Sequence, residues 1–227
     1  MPYQTFDIKG SITKKQTVAV TGLLLILFVI AHLAGNLFIY GGPRVFNGYA
    51  QKLEHFGILL KIAEWGLALI FLIHIERVSS LIVQNIRAKG GLSRYALDNS
   101  RGPRSLATRL MPYSGTYLLI YLIWHLYDFA WANPEGPRSY IHGMSYGLYG
   151  LVVNSFKDPL HSWLYVLAMV FLGLHLAHGT ESFIQTFAFN DFHVTKGIKR
   201  FSHIFAGVMV LAYSSIPLYV LYILPIR

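Results

Sequence analysis

Residues 18–36 read VAVTGLLLILFVIAHLAGN, a run without a charged side chain that holds one histidine, His32, where a lipid-facing helix would place another leucine. The run extends to Tyr40, and about 20 mostly apolar residues suffice for a helix to cross the hydrocarbon core. A backbone in lipid must satisfy its own polar groups, so the segment reads as a membrane helix. An imidazole inside it is costly and belongs on the face turned toward neighbouring helices.

The rest of the chain repeats the pattern. Of 227 residues, 54% are hydrophobic and 13% charged, and the mean hydropathy of +0.47 is too high for a solvated globular surface. That length accommodates roughly five crossings with short loops. Five runs qualify, at about 17–40, 58–86, 112–132, 159–187 and 201–224, each bounded by Gly, Pro or charge. The expectation is one all-α membrane domain over 1–227. The intervening GGPRVFNGYAQKLEHFG and ANPEGPRSYIHGMSYGLYGLVVNSFKD read as loops. The basic segment before Val18 lacks a small-x-small cleavage pattern and reads as part of an uncleaved first span.

Charge gives the orientation. Lys9, Lys14 and Lys15, the six basic residues from Arg87 to Arg109, and Lys196, Lys199 and Arg200 lie on one side. They outnumber Arg44, Lys52, Lys61, Arg138, Lys157 and Arg227 on the other two to one. Positive charge is retained in the cytoplasm, which places the N-terminus inside and the C-terminus outside. The net charge of +9 is explained by these loops, and no basic face suited to nucleic acid remains. The chain has no cysteine, which excludes disulfides, thiolate-bound iron–sulfur clusters and thioether-attached haem.

Four spans carry a histidine: His32, His74, His125 and His175. With successive spans running in opposite directions at ~1.5 Å per residue, His32 and His125 fall toward the outer side and His74 and His175 toward the inner side. Two opposed neutral imidazoles at one depth are the ligand set of a six-coordinate b-type haem. Gly22, Gly66, Gly115 and Gly173 would let the helix backbones approach, as small residues do in any membrane bundle. A lone intramembrane histidine can also simply bond a neighbouring helix. A proton relay would interleave carboxylates at mid-depth, whereas Glu64, Glu76, Asp128 and Glu181 lie nearer the span ends. Zinc would draw its ligands to a single depth. The segments around 31–35, 124–128 and 174–178 (AHLAG, WHLYD, LHLAH) echo one another, too briefly to define a repeat.

The segments AHLAGNLF, NGYAQKLEH, ATRLMPYSGTYLLIYLIWHL and LGLHLAHGTESFIQT resemble the cytochrome b subunit of the succinate dehydrogenase and fumarate reductase family, in its single-chain, di-haem form. The resemblance implies five transmembrane helices, four of them bundled around two stacked haems b. His32 and His125 would hold the outer, distal haem, and His74 and His175 the inner, proximal one. It further implies an iron–sulfur subunit and an FAD-bearing flavoprotein subunit as partners, menaquinone as the quinone, and a bacterial cytoplasmic membrane. His178, Arg109, Ser114 and Ser182 become expected propionate or quinone contacts, and Glu54, His55 and Asp128 expected quinone protonation groups. Position 173 is Gly and no span offers a mid-depth carboxylate, so the family variant with a transmembrane glutamate path is not expected. Two other classes fit the residues: a cofactor-free histidine-bearing transporter or proton channel, and the cytochrome b anchor of a hydrogenase or formate dehydrogenase.

Overall fold

The computed structural model describes residues 8–88, 106–187 and 192–225. The chain is almost entirely helical. Helix α1 (Ile8–Asn36) continues through a 3-10 turn, Leu37–Gly41, into the shorter α2 (Gly42–Glu54). It is followed by α3 (Ile58–Ala88), α4 (Leu106–His125), α5 (Gly147–Lys157), α6 (Pro159–Phe187) and α7 (Phe192–Leu218). Among the described residues, four helical stretches are long and apolar enough to cross a membrane: Ile12–Glu54, Ile58–Ala88, Pro159–Phe187 and Lys196–Ile223.

Helix α4 stands where a further span was expected but is not one of the four. Pro112, Ser114, Thr116 and three tyrosines dilute its apolar run. It is prolonged by a π-helical turn, Leu126–Ala130, and α7 ends in another, Tyr219–Ile223. Wide turns of this kind shift the facing of the side chains that follow and recur at functional sites. Here the first of them carries Asp128, which is buried.

Two stretches read from the sequence as loops fold instead. In the first, Pro43 starts α2 at a position that needs no backbone N–H, and Phe46 turns inward while Gln51 and Lys52 face out. In the second, a 3-10 turn at Pro137–Ser139 leads into a small antiparallel hairpin, with Tyr140 opposite Ser145 and Ile141 opposite Met144. Its two-residue tip has His142 and Gly143 both at positive φ, 49° and 81°, as a primed turn requires. The hairpin delivers the chain to α5, eleven residues long and buried at seven of them. Its run GLYGLVVNSF is too short to span. Apolar runs of that length are more often buried or re-entrant helices, and that was the signal passed over.

Helices α2 and α5 close one end of the bundle, hereafter the capped end. Its core joins Leu33, Ile39 and Phe46 to Val152, Val153 and Phe156, and to Tyr165, Met209 and Val220. The packing elsewhere is uneven. Helix α7 lies along α6, where a Cβ on Gly173 would collide with Val210, so the close approach of the two helices requires glycine there. Helix α4 packs on α6 and α1 on both α3 and α6, while α3 buries none of its residues.

Asn47 ties the two capping helices together. Its Nδ2 donates to the Tyr146 carbonyl at 2.8 Å and its Oδ1 accepts from the Tyr149 amide at 2.9 Å. Asn47→Ala leaves both backbone groups without that partner and should cost about 2 kcal/mol. Thermal unfolding of the purified protein in detergent checks this, and Asn47→Asp, which keeps the acceptor, should lose less.

Candidate functional site

The four histidines come together as two pairs on four helices. At the capped end, the His32 and His125 rings stand edge-on, with centroids 5.8 Å apart and planes at 89°. Aromatic rings enclose them. Phe28 stacks on His32 at 5.4 Å, Tyr121 on His125 at 5.8 Å, and Phe129 meets His125 edge-on at 5.4 Å. His125 Nδ1 is buried with no hydrogen-bond partner among the described residues.

Deeper in the bundle, His74 stands sixteen residues into α3 and His175 sixteen into α6. Both helices run from the capped end, so the two rings share a depth of ~24 Å along their axes. They lie within electrostatic reach of one another. Each is met by a hydroxyl and a glycine from the helix beside it. Thr21 Oγ1 lies 3.0 Å from His74 Nδ1, and Ser114 Oγ lies 3.4 Å from His175 Nδ1. A Cβ added at Gly22 or Gly115 would sit 3.5 Å from the facing ring's Cε1. A methyl would just touch there, and a longer side chain would displace the imidazole.

These groups suit a b-type haem. The donor set is four imidazoles paired across the bundle, and glycines stand against the inner rings. No cluster of three or more metal-binding side chains occurs among the described residues, and the histidines associate by twos.

The other expected residues are placed as follows. Ser114 is wholly buried and faces the His175 ring, and His178 is half-buried one turn beyond it. Ser182 is exposed on α6. Glu54 and His55 are exposed where α2 ends, with His55 Nδ1 2.6 Å from the Gln51 carbonyl. The Arg109 side chain and the loop bearing Lys89, Arg94, Asp98, Arg101 and Arg104 lie outside the described residues.

Asp128 is the buried one, at 5% exposure. Tyr165 donates to its Oδ2 at 2.9 Å, and Arg138 reaches its Oδ1 at 3.5 Å while bonding Ser155 at 2.9 Å. His161 Nε2 lies 3.2 Å from Oδ2, close enough for an ionic contact but not aligned as a hydrogen bond. Asp128, Arg138, Ser155 and His161 line a cavity of about 370 Å³ together with Trp124 and Asp158, and Asp128 stands one helical turn from His125. The sequence reading named Asp128 and missed Arg138, His161 and Tyr165, which come from the hairpin and α6 and have no spacing relation to it.

No family model, curated protein or solved structure matches the chain.

Because Asp128 is a buried acceptor, Tyr165→Phe should cost about 2 kcal/mol, the usual value of a bond to a charged group. Asp128→Ala should cost more, since it strands the donors that converge there. Unfolding midpoints of the two purified variants against wild type check the order.

Proposed function

We propose that this chain is the di-haem b membrane anchor of a succinate:quinone oxidoreductase. His32 and His125 ligate the outer haem, His74 and His175 the inner one, and electrons pass between an iron–sulfur partner subunit and menaquinone. The observation that carries this reading is the pairing of four imidazoles from four helices at two depths. When bound, haem supplies one-electron redox chemistry, and the protein supplies axial ligands, spacing and a dry surround.

In this reading α4 is a fifth span, the N-terminus is cytoplasmic and the C-terminus lies outside a bacterial cytoplasmic membrane. The flavoprotein and iron–sulfur subunits dock at the cytoplasmic end, opposite the capped end. FAD and the dicarboxylate belong to those partners. At the capped end, Asp128 is the group suited to exchange protons with quinone. It lines a cavity beside the outer histidine pair, whereas Glu54 and His55 are exposed. Tyr165, Arg138 and His161 hold its oxygens in place.

The buried Asp128 beside His161 also favours a second reading, a cofactor-free proton conductor. Pigment decides between them. A pyridine haemochrome assay on the purified protein should find about two haems b per chain, and a colourless protein overturns the anchor reading. Co-purifying subunits separate this anchor from that of a hydrogenase or formate dehydrogenase: a nickel or molybdenum partner would exclude succinate chemistry. His74→Ala or His175→Ala should remove one haem, and His32→Ala or His125→Ala the other, as read by redox titration. Asp128→Asn should slow quinone turnover by roughly 100-fold with both haems retained, the usual contribution of a positioned acid–base group; a normal rate with quinone removes Asp128 from that role.

A further inference from the structure

The two hydroxyls that face the inner histidines belong to matching segments. TGLLLILFVIAHL, residues 21–33, and SGTYLLIYLIWHL, residues 114–126, each place a hydroxyl residue and a glycine eleven and ten positions before an outer histidine. The brief echo at AHLAG and WHLYD thus extends to a full helical segment, Thr21-Gly22 to His32 and Ser114-Gly115 to His125. In both, the hydroxyl contacts the histidine of the helix that follows, His74 on α3 or His175 on α6. The same device is used twice, once by the α1–α3 pair and once by the α4–α6 pair.

Hydrogen-bond direction follows from where each hydroxyl proton goes. Thr21 Oγ1 donates to the Thr17 carbonyl at 2.8 Å, with the Val18 carbonyl at 3.2 Å. Ser114 Oγ donates to the Met111 carbonyl at 3.1 Å. A hydroxyl has a single proton, so with it engaged by the helix backbone the oxygen presents lone pairs to the ring. The imidazole must then carry its own proton on Nδ1, and in the neutral ring that leaves Nε2 as the free lone pair. His125 differs, because its buried Nδ1 has no such partner among the described residues.

We infer that Thr21 and Ser114 are positioning residues for the inner pair: they fix the Nδ1–H tautomer of His74 and His175, present Nε2 of both rings to the inner haem iron, and lower that haem's reduction potential. The last effect follows because an acceptor at Nδ1–H makes the imidazole a stronger donor, which favours the oxidised metal. This rests on the di-haem reading for the potential but not for the tautomer.

The test uses the complex purified from its own membrane, carrying Thr21→Val, Ser114→Ala or both, with Thr21→Ser as the conservative control. Haem content and the midpoint potential of each haem are measured by pyridine haemochrome and spectroelectrochemical titration. The expected result is an upward shift of the haem that His74→Ala removes, larger in the double variant, with the other haem unmoved and Thr21→Ser at the wild-type value. Unchanged potentials, or equal shifts of both haems, overturn the inference. If Thr21→Val loses the haem, restoration by Thr21→Ser supports the role and failure to restore overturns it. If the wild-type protein is colourless, the anchor reading falls by itself, and ¹⁵N NMR of His74 and His175 decides the tautomer. Protonated Nδ1 with bare Nε2 supports the inference, and protonated Nε2 overturns it.

Discussion

A neutral imidazole has one donor and one acceptor, and a helix interior satisfies neither, since the backbone's own groups are already paired along the axis. Much of the bundle's arrangement answers that constraint. For His74 and His175 the Nδ1 side is met by a hydroxyl from the adjacent helix. Meeting it fixes which helices are neighbours: α1 beside α3, and α4 beside α6. It also keeps the residue next to the hydroxyl small, because a side chain longer than a methyl would enter the volume of the ring. Ligand chemistry and helix packing are consequently set by the same few positions.

The sequence carried the long elements well. The span read at 159–187 coincides with α6, and that read at 58–86 differs from α3 by two residues at one end. Length and hydropathy suffice for these because lipid permits few alternatives. Rise per residue and chain direction alone pair His32 with His125, whose ring centroids stand 5.8 Å apart. Helix α5 was missed because a short apolar run buried under the bundle lacks the length that identifies a span. The Asp128 cluster was only partly legible: Arg138 and His161 reach it through tertiary folding of the 3-10 turn before the hairpin and of α6, which no local spacing encodes. Ser114 was named from the sequence as a propionate or quinone contact, and Thr21 follows from it by aligning the two outer histidines and reading back eleven residues.

The capped end and the rest of the bundle differ in how they are held. At the cap, α2 and α5 are joined by Asn47, Lys157 bonds the Leu224 carbonyl at the end of α7, and Asp158 accepts the His161 amide at the start of α6. Asn47, half-buried and bonded to two backbone groups, is the contact among these that specifies a single arrangement. The outer histidines and Asp128 are set at this end of the bundle, among its cross-linked helices. Tight contact at Gly173 continues the packing along α6 and α7.

Helix α3 is held to α1 by the Lys14–Ser80 bond at 2.8 Å and the Thr21–His74 contact. It lies against α1 with none of its residues buried, and Trp65, Leu69 and Leu72 are all more than half exposed. Yet it supplies one of the four histidines. Any molecule that binds His74 on one side and His175 on the other therefore acts as a rivet, fastening the loosest helix to the most tightly packed one. Binding that favours only the folded arrangement stabilises it by mass action, so an occupant of the inner pair would also be a component of the fold, and the loaded and empty chains would be two different mechanical objects.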